Sequence, residues 1–416
     1  MSTATLDNAL VERFFAYAKL DTQSSRESKT APSTEKQLRL AELLVEELQT
    51  LGAVNARIGT GGVVYAEIPA TPGCEEAPAV GFIAHMDTSP DASGEGVSPQ
   101  ILRFTGEDVL LNAEKNIVFP VESFPEIKKY AGEDVIFTDG TTLLGADDKA
   151  GIAAIMGMVH YVSEHPEMPH AKLCIGFTPD EEVSRGTENF DIPVFGAKYA
   201  YTFDGGEVGQ LESENFNAGT AWVTVKGVGV HPGSAKGKMV NAIRYLAKFL
   251  EMLPPEMSPE CTEGHEGFLH PNNITGNVVS ATARLLIRDH DRKLYDAKKE
   301  LLAELVATMN ERYPEAPCSL EIKDFYENMR DYIDRAPYVL DIARAAYRAV
   351  GLEPVEKPIR GGTDGARLSV RGLPCPNVFT GGMNYHGIYE CLPVKSLLKA
   401  RDVAVELARG SASVRL

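Results

Sequence analysis

The sequence predicts an α/β protein with a mixed, largely parallel sheet, interrupted by an inserted α+β domain. Three observations carry that expectation. Apolar, strand-like runs alternate with helical periodicities up to about residue 203, as parallel sheets with covering helices do. After Asn215 the pattern changes to alternating strands and two helices. From about residue 336 the first pattern returns, so the chain leaves its first domain and comes back to it. At 416 residues it is too long for one ordinary core. The expected divisions are 1–213 and 331–416 for the outer domain and 214–330 for the insertion.

In order, residues 7–20 and 33–51 carry apolar positions at helical spacing, and Ser33-Thr34-Glu35 reads as a helix start with a side-chain cap. Residues 63–68 and 79–84 read as buried strands. Residues 89–139, rich in Gly, Pro and charge, read as an elaboration with a β-type piece at 134–138. A helix over 149–163 and strands over 172–178 and 199–203 complete the first half. The insertion reads as a strand at 220–227, a helix at 239–252, one long or bent strand at 276–288, a helix at 293–313 and a strand at 318–323. A helix at 338–350, an apolar run at 375–380 and a helix at 394–408 close the chain.

The formal charge of -18 argues against nucleic acid, whose phosphates call for a basic face. No apolar run approaches the roughly 20 residues of a membrane helix, and the first ten residues lack the pattern of a secretion signal. The six cysteines are dispersed without a C-x-x-C pair. They read as reduced thiols of a cytoplasmic protein.

Five segments end a hydrophobic run with groups suited to a divalent cation: His85 and Asp87, Asp147 and Asp148, Glu181 and Glu182, Asp204, and His386. Ligands in parallel α/β sheets collect beyond the carboxyl ends of the strands. Together these residues suggest one composite site for two zinc-like ions with a spare carboxylate as base. Each residue also has a plainer reading. His85 is either a ligand whose other nitrogen is held by Asp87 or a structural histidine. Asp147 and Asp148 precede a helix, where acids cap free N–H groups; capping suits Asp148, and Asp147 is the candidate to bridge two ions. Glu181 and Glu182 are either an exposed loop or a ligand beside a proton acceptor. Asp204 precedes Gly205-Gly206, which allow close backbone approach, and His386 sits in a Gly-rich loop. This mixture of nitrogen and oxygen donors fits zinc, with manganese or cobalt as substitutes. Arg360, in a Gly-rich turn, is suited to clamp a carboxylate, and His231 to donate to an oxyanion.

The strings H-M-D-T-S-P-D, T-L-L-G-A-D-D-K-A-G-I-A, F-T-P-D-E-E-V, D-G-G-E-V-G-Q-L-E-S-E-N-F-N-A, V-H-P-G-S-A-K-G-K-M-V-N-A and P-I-R-G-G-T-D-G-A-R-L-S resemble the peptidase T family. These are tripeptide aminopeptidases among the dinuclear zinc peptidases related to carboxypeptidase G and aminoacylase. The resemblance spans nearly the whole chain. It implies a zinc-peptidase catalytic domain, an inserted dimerisation or lid domain, two Zn2+ per subunit, tripeptide substrates and a homodimer. It also implies roles: His85, Asp147 and Asp204 for one ion; Asp147, Glu182 and His386 for the other; Asp87 orienting His85; and Glu181 as proton acceptor. His231, Arg360 and, less directly, Arg288 would contact substrate, and a cis peptide would follow Asp147. The rival readings are a dipeptidase, a carboxypeptidase, an N-acyl amino acid deacylase, or a non-catalytic peptide-binding dimeric scaffold. None of these enlists nucleic acid or a membrane.

Overall fold

A computed structural model describes residues 3–415; the expected outer limits at 1 and 416 lie outside the described residues. In chain order the elements are α1 (Thr3–Ala18), α2 (Gln37–Thr50), β1 (Val54–Ile58), β2 (Val64–Ile68), β3 (Val80–His85), β4 (Gln100–Arg103), β5 (Val109–Asn112), β6 (Ile117–Phe119), β7 (Asp134–Phe137), α3 (Ala146–Glu164), β8 (Leu173–Thr178), α4 (Ile192–Phe195), β9 (Tyr199–Gly205) and β10 (Gln210–Glu212). There follow β11 (Asn217–Lys226), α5 (Ala242–Leu250), β12 (Phe268–Gly276), β13 (Ser280–Asp289), α6 (Arg292–Arg312), β14 (Cys318–Tyr326), α7 (Arg330–Ile333), α8 (Tyr338–Ala349), β15 (Val355–Glu356), α9 (Asp364–Val370), β16 (Asn377–Phe379), β17 (Cys391–Pro393) and α10 (Val394–Ser411). Contacts divide the chain into two units. One comprises Met1–Ser213, Asp331–Lys357 and Thr363–Leu416; the other comprises Glu214–Arg330 and Pro358–Gly362.

The first unit is built on an eight-stranded sheet in the order β1-β2-β8-β3-β9-β16-β10-β15. Its centre is parallel: β8 with β3, β3 with β9, and β9 with β16. The antiparallel pairs are β1–β2, β2–β8 and β10–β16. Every residue of β3 and β8 is buried, as expected for strands covered on both faces. α3 packs on β3 and β9 and also against α1 and α10, so it is buried almost all round. Its small residues make this close approach possible. A methyl at Gly151 would lie 1.9 Å from the Phe203 carbonyl oxygen and 2.4 Å from Asp148 Oδ1. Residues 89–139 supply β4 and β7, which β17 from near the end of the chain completes as a small sheet, β17-β7-β4, and the β5–β6 pair, closed over Phe104, Phe119, Ile127 and Phe137.

The second unit is an antiparallel sheet, β12-β13-β11-β14. Its alternating inward residues, Ala221, Val223 and Val225 of β11 and Ala283, Leu285 and Ile287 of β13, pack with Leu246 and Phe249 of α5 and Leu302, Val306 and Met309 of α6. Each large side chain buried there contributes about 1.5–3 kcal/mol. Asp291 starts α6 by accepting from the N–H groups of Lys293 and Leu294. Residues 358–362 join this unit because Ile359 N–H donates to the Glu214 carbonyl (2.8 Å) and Arg360 is bonded within it.

Two expectations need correction. The strand expected over 276–288 is β13 from Ser280 onward, but it has an unexpected hairpin partner, β12, over 268–276: Asn277 Oδ1 accepts from Val279 and Ser280 N–H, and this Asx turn separates the two. Ser33 does not cap α2. Its N–H donates to Asp180 (2.7 Å) and its hydroxyl accepts from Ser25 N–H, so a partner 147 residues away outweighs the local signal. All six cysteines are free thiols, and among the described residues no helix is long and apolar enough to cross a membrane.

His170 gives the first unit a pH response. Burial pushes its pKa below the usual value, partly offset by its hydrogen bond to the Ala171 carbonyl. The unfolded chain therefore binds the proton more readily. Stability contributed by neutral His170 is complete above about pH 6.5 and declines as the pH falls from there through the lower folded value. Denaturant titrations from pH 7 to 5 should show a smaller decline for His170→Gln than for the parent, and equal declines would refute this account.

Candidate metal centre

The parallel strands deliver the candidate ligands to one end of the sheet. His85 is the last residue of β3 and pairs in register with Thr178, the last residue of β8. Asp204 is the penultimate residue of β9. Gly205 beside it has no room for a side chain, since a methyl would lie 2.8 Å from the Val378 carbonyl of β16. Asp147 and Asp148 interrupt the start of α3 with non-helical backbone angles, and the peptide between them is cis.

His85 is buried and fixed on both sides. Its N–H donates to Asp148 Oδ2 (3.0 Å), and Nδ1 lies 2.9 Å from the Asp87 carbonyl oxygen. A nitrogen facing a carbonyl carries the proton, so in the neutral ring Nε2 presents its lone pair. Nε2 faces Asp147 Oδ1 at 2.9 Å and Asp204 Oδ1 at 3.6 Å. The other oxygen of Asp147 lies 3.1 Å from His386 Nε2, which is also 3.0 Å from Glu182 Oε1. The result is two triads, His85–Asp147–Asp204 and Asp147–Glu182–His386, each with its ligand atoms within 4.8 Å of one another and sharing Asp147.

These residues fit divalent cations. Lone pairs on imidazole nitrogens and carboxylate oxygens face each other at about hydrogen-bond distance, and Glu182 Oε1 is buried with no hydrogen-bond donor aligned to it. Without an ion, protons must hold the charges together. The Asp147 and Glu182 carboxylates beside it push His386 up to about 11. Burial opposes protonation of His85, yet Asp147, Asp204 and Asp87 raise it well above the usual value. Burial would also raise Asp147, but the two histidines hold it low. Burial, then neighbouring carboxylates, raises Glu181 and Asp204, and burial pushes Glu182 to about 7. Cation binding would take over from these protons and release them.

Three buried acids hold the ligand-bearing turns through backbone N–H groups. Asp148 accepts from His85 N–H rather than capping α3, which corrects the capping expectation. Asp87 accepts from Glu181 N–H (2.9 Å) and Glu182 N–H (3.2 Å), while its carboxylate stands 3.4 Å from His85 Nδ1. Its bond to the glutamate turn is thus shorter than its approach to the imidazole. Glu390 accepts from Leu144, Gly145 and Asp147. Asp180, at φ 62, precedes the two glutamates and accepts from Ser33 N–H and Gln37 Nε2. Sequence reading missed Glu390, Asp180 and Asp91, whose carboxylate pairs with Arg26 (2.8 Å) and lies 3.8 Å from His386 Nδ1. A single acid between Tyr389 and Cys391 carries no signature of its own.

His231, Arg288 and Arg360 belong to the second unit. His231 is exposed, and its Nδ1 accepts from Gly233 N–H (3.1 Å), which leaves the proton of the neutral ring on Nε2. Arg288 donates to the carbonyls of Gly219 and Ile287. Arg360 donates to the carbonyls of Gly264 and Glu266 and to Thr262 Oγ1. Its guanidinium lies 5.1 Å from the centre of the Phe216 ring and 5.8 Å from that of Phe268, so its position is set by its own unit.

Comparison with known proteins places this geometry in a family. Residues 213–317 match the family model of the peptidase dimerisation domain. Peptidase T of Clostridium acetobutylicum is 51% identical over 96% of this chain and 98% of its own. A solved tripeptidase from Staphylococcus aureus superposes with a TM-score of 0.77 at 20% identity, covering 98% of each chain. A Bacillus subtilis structure described as a dinuclear metal-binding peptidase of the M20 family superposes at 0.66 with 13% identity, also covering 98% of each. The last two share the fold; the first, at half the residues over nearly the full length, shows that this chain belongs to the peptidase T family.

Proposed function

We propose that this chain is a dinuclear metal aminopeptidase that releases the N-terminal residue from tripeptides. The observation that supports it most is the pair of triads sharing Asp147, with Glu181 on the adjoining turn. His85, Asp147 and Asp204 would hold one ion, and Asp147, Glu182 and His386 the other. Zinc suits this set of nitrogen and oxygen donors, and cobalt or manganese would substitute. Bound ions of this kind polarise a carbonyl and make water acidic enough to act near neutral pH. Glu181, on a turn fixed by Asp87, takes the proton from the attacking water and returns it to the leaving nitrogen. His231, with its proton on Nε2, is suited to donate to the oxyanion. Arg360, braced by four carbonyl and hydroxyl acceptors, is suited to receive the peptide carboxylate, with Arg288 a further candidate. The match to a dimerisation domain supports a homodimer through the second unit, and six free thiols support a cytoplasmic setting.

The test is a panel of di-, tri- and tetrapeptides and N-acetylated tripeptides, assayed with zinc, cobalt or manganese. Cleavage of the first bond of free tripeptides is expected, with the acetylated forms resistant. Preference for acetylated substrates would replace this reading with a deacylase, and preference for dipeptides with a dipeptidase.

A further inference from the structure

His386 and Glu390 lie on one loop, whose neck is tied by two hydrogen bonds between Met383 and Cys391 (2.9 and 3.0 Å). Glu390 is 1% exposed. Its Oε2 accepts from Leu144 N–H (2.7 Å) and Gly145 N–H (2.8 Å), and its Oε1 from Asp147 N–H (3.0 Å). These three donors belong to a turn rather than a helix: Gly145 has φ 74, and Asp147 has φ -85 and ψ 103. Buried N–H groups outside regular structure need an acceptor, and a carboxylate, with about four lone-pair sites, can take all three.

We infer that Glu390 is a positioning residue for the shared ligand. It holds the 144–147 turn so that the Asp147 carboxylate directs one oxygen to each triad. The 383–391 loop therefore does two jobs: it supplies His386 and, through Glu390, sets Asp147, 243 residues away in the chain. This inference rests on Asp147 being the ligand common to both ions. A glutamine at 390 has only one acceptor end, so either the Asp147 bond or the pair to Leu144 and Gly145 is lost. An aspartate keeps the charge but is one methylene too short to reach all three donors.

The test is zinc affinity by chelator competition, with the full chain as parent and as Glu390→Gln, Glu390→Asp, Asp147→Asn and Asp204→Asn. Glu390→Gln should weaken both ions together by about 10–100-fold, the usual effect of a group supporting a ligand. Asp204→Asn should weaken chiefly one ion. Tripeptide kcat, referred to the folded, zinc-loaded fraction of each sample, should fall in Glu390→Gln with KM within about twofold of the parent, since that normalisation removes any loss due to instability alone. Parent-like zinc affinity in Glu390→Gln alongside loss of both ions in Asp147→Asn would overturn the inference. Parent-like affinity in Asp147→Asn would overturn the shared-ligand reading and this inference with it. If Glu390→Gln fails to fold, hydrogen exchange of the parent decides. Slow exchange at Leu144, Gly145 and Asp147 without zinc supports the clamp, and exchange at unfolded-chain rates overturns it.

Discussion

Glu181→Gln should retain its bound metal and lose at least about a hundredfold in kcat, the low end for loss of a general base and equal to roughly 2.7 kcal/mol of barrier. The substitution is nearly isosteric. The 180–182 turn should survive, because Asp87 holds it through the backbone N–H groups of Glu181 and Glu182 and Asp180 is tied to Ser33 and Gln37. None of those bonds uses the Glu181 side chain. An amide cannot accept the proton of the attacking water at neutral pH. Stopped assays on a tripeptide, with metal content measured on the same sample, provide the check. Full activity with full metal would remove Glu181 from the role of base; loss of metal would mean that it binds an ion instead.

A methyl group added at Gly151 should damage both stability and the metal centre. It would enter the space of the Phe203 carbonyl and of Asp148, so α3 must move away from β9. Overpacking of a close-packed core costs about 1–3 kcal/mol, occasionally more, and an approach of 1.9 Å to backbone belongs at the upper end. The damage should spread, since Asp148 accepts from His85 N–H and Phe203 is bonded to Asp204. Urea unfolding of Gly151→Ala should show a lower midpoint, and zinc titration a weaker first triad. Gly361→Ala, whose methyl would meet only Ile359 at 3.9 Å, is the stability control. Equal midpoints for Gly151→Ala and the parent would show that the α3–β9 contact yields freely.

Much of the arrangement could be read from residue order. Buried runs that end in an acid or histidine marked β3, β8 and β9, and the change of pattern near 215 marked the insertion. The structure then brings His85, Asp147, Glu182, Asp204 and His386 together. What escaped the sequence shares one physical property: the deciding partner is far away in the chain. Asp148 looks like a cap because helix starts are judged locally, yet its partner is 63 residues upstream. Ser33 looks like a cap for the same reason, until Asp180 claims its N–H. Glu390 finds its donors some 243–246 residues away, and nothing in its neighbours signals them. β12 was missed because Pro271, Asn272 and Asn273 interrupt its strand-forming residues.

The sheet order also has a consequence for synthesis on the ribosome. β16 lies between β9 and β10, yet its residues, 377–379, are translated long after β9 ends at Gly205. The whole second unit is made in the interval. At roughly 5–20 residues per second, the nascent chain shows an unpaired β9 edge for on the order of ten seconds or more. Such an edge is a template for pairing with another chain. Every ligand on the early strands is already made by then, but His386 has yet to emerge. Chaperone demand and aggregation during expression should therefore concentrate in this window, which closes when β16 is available to pair with β9.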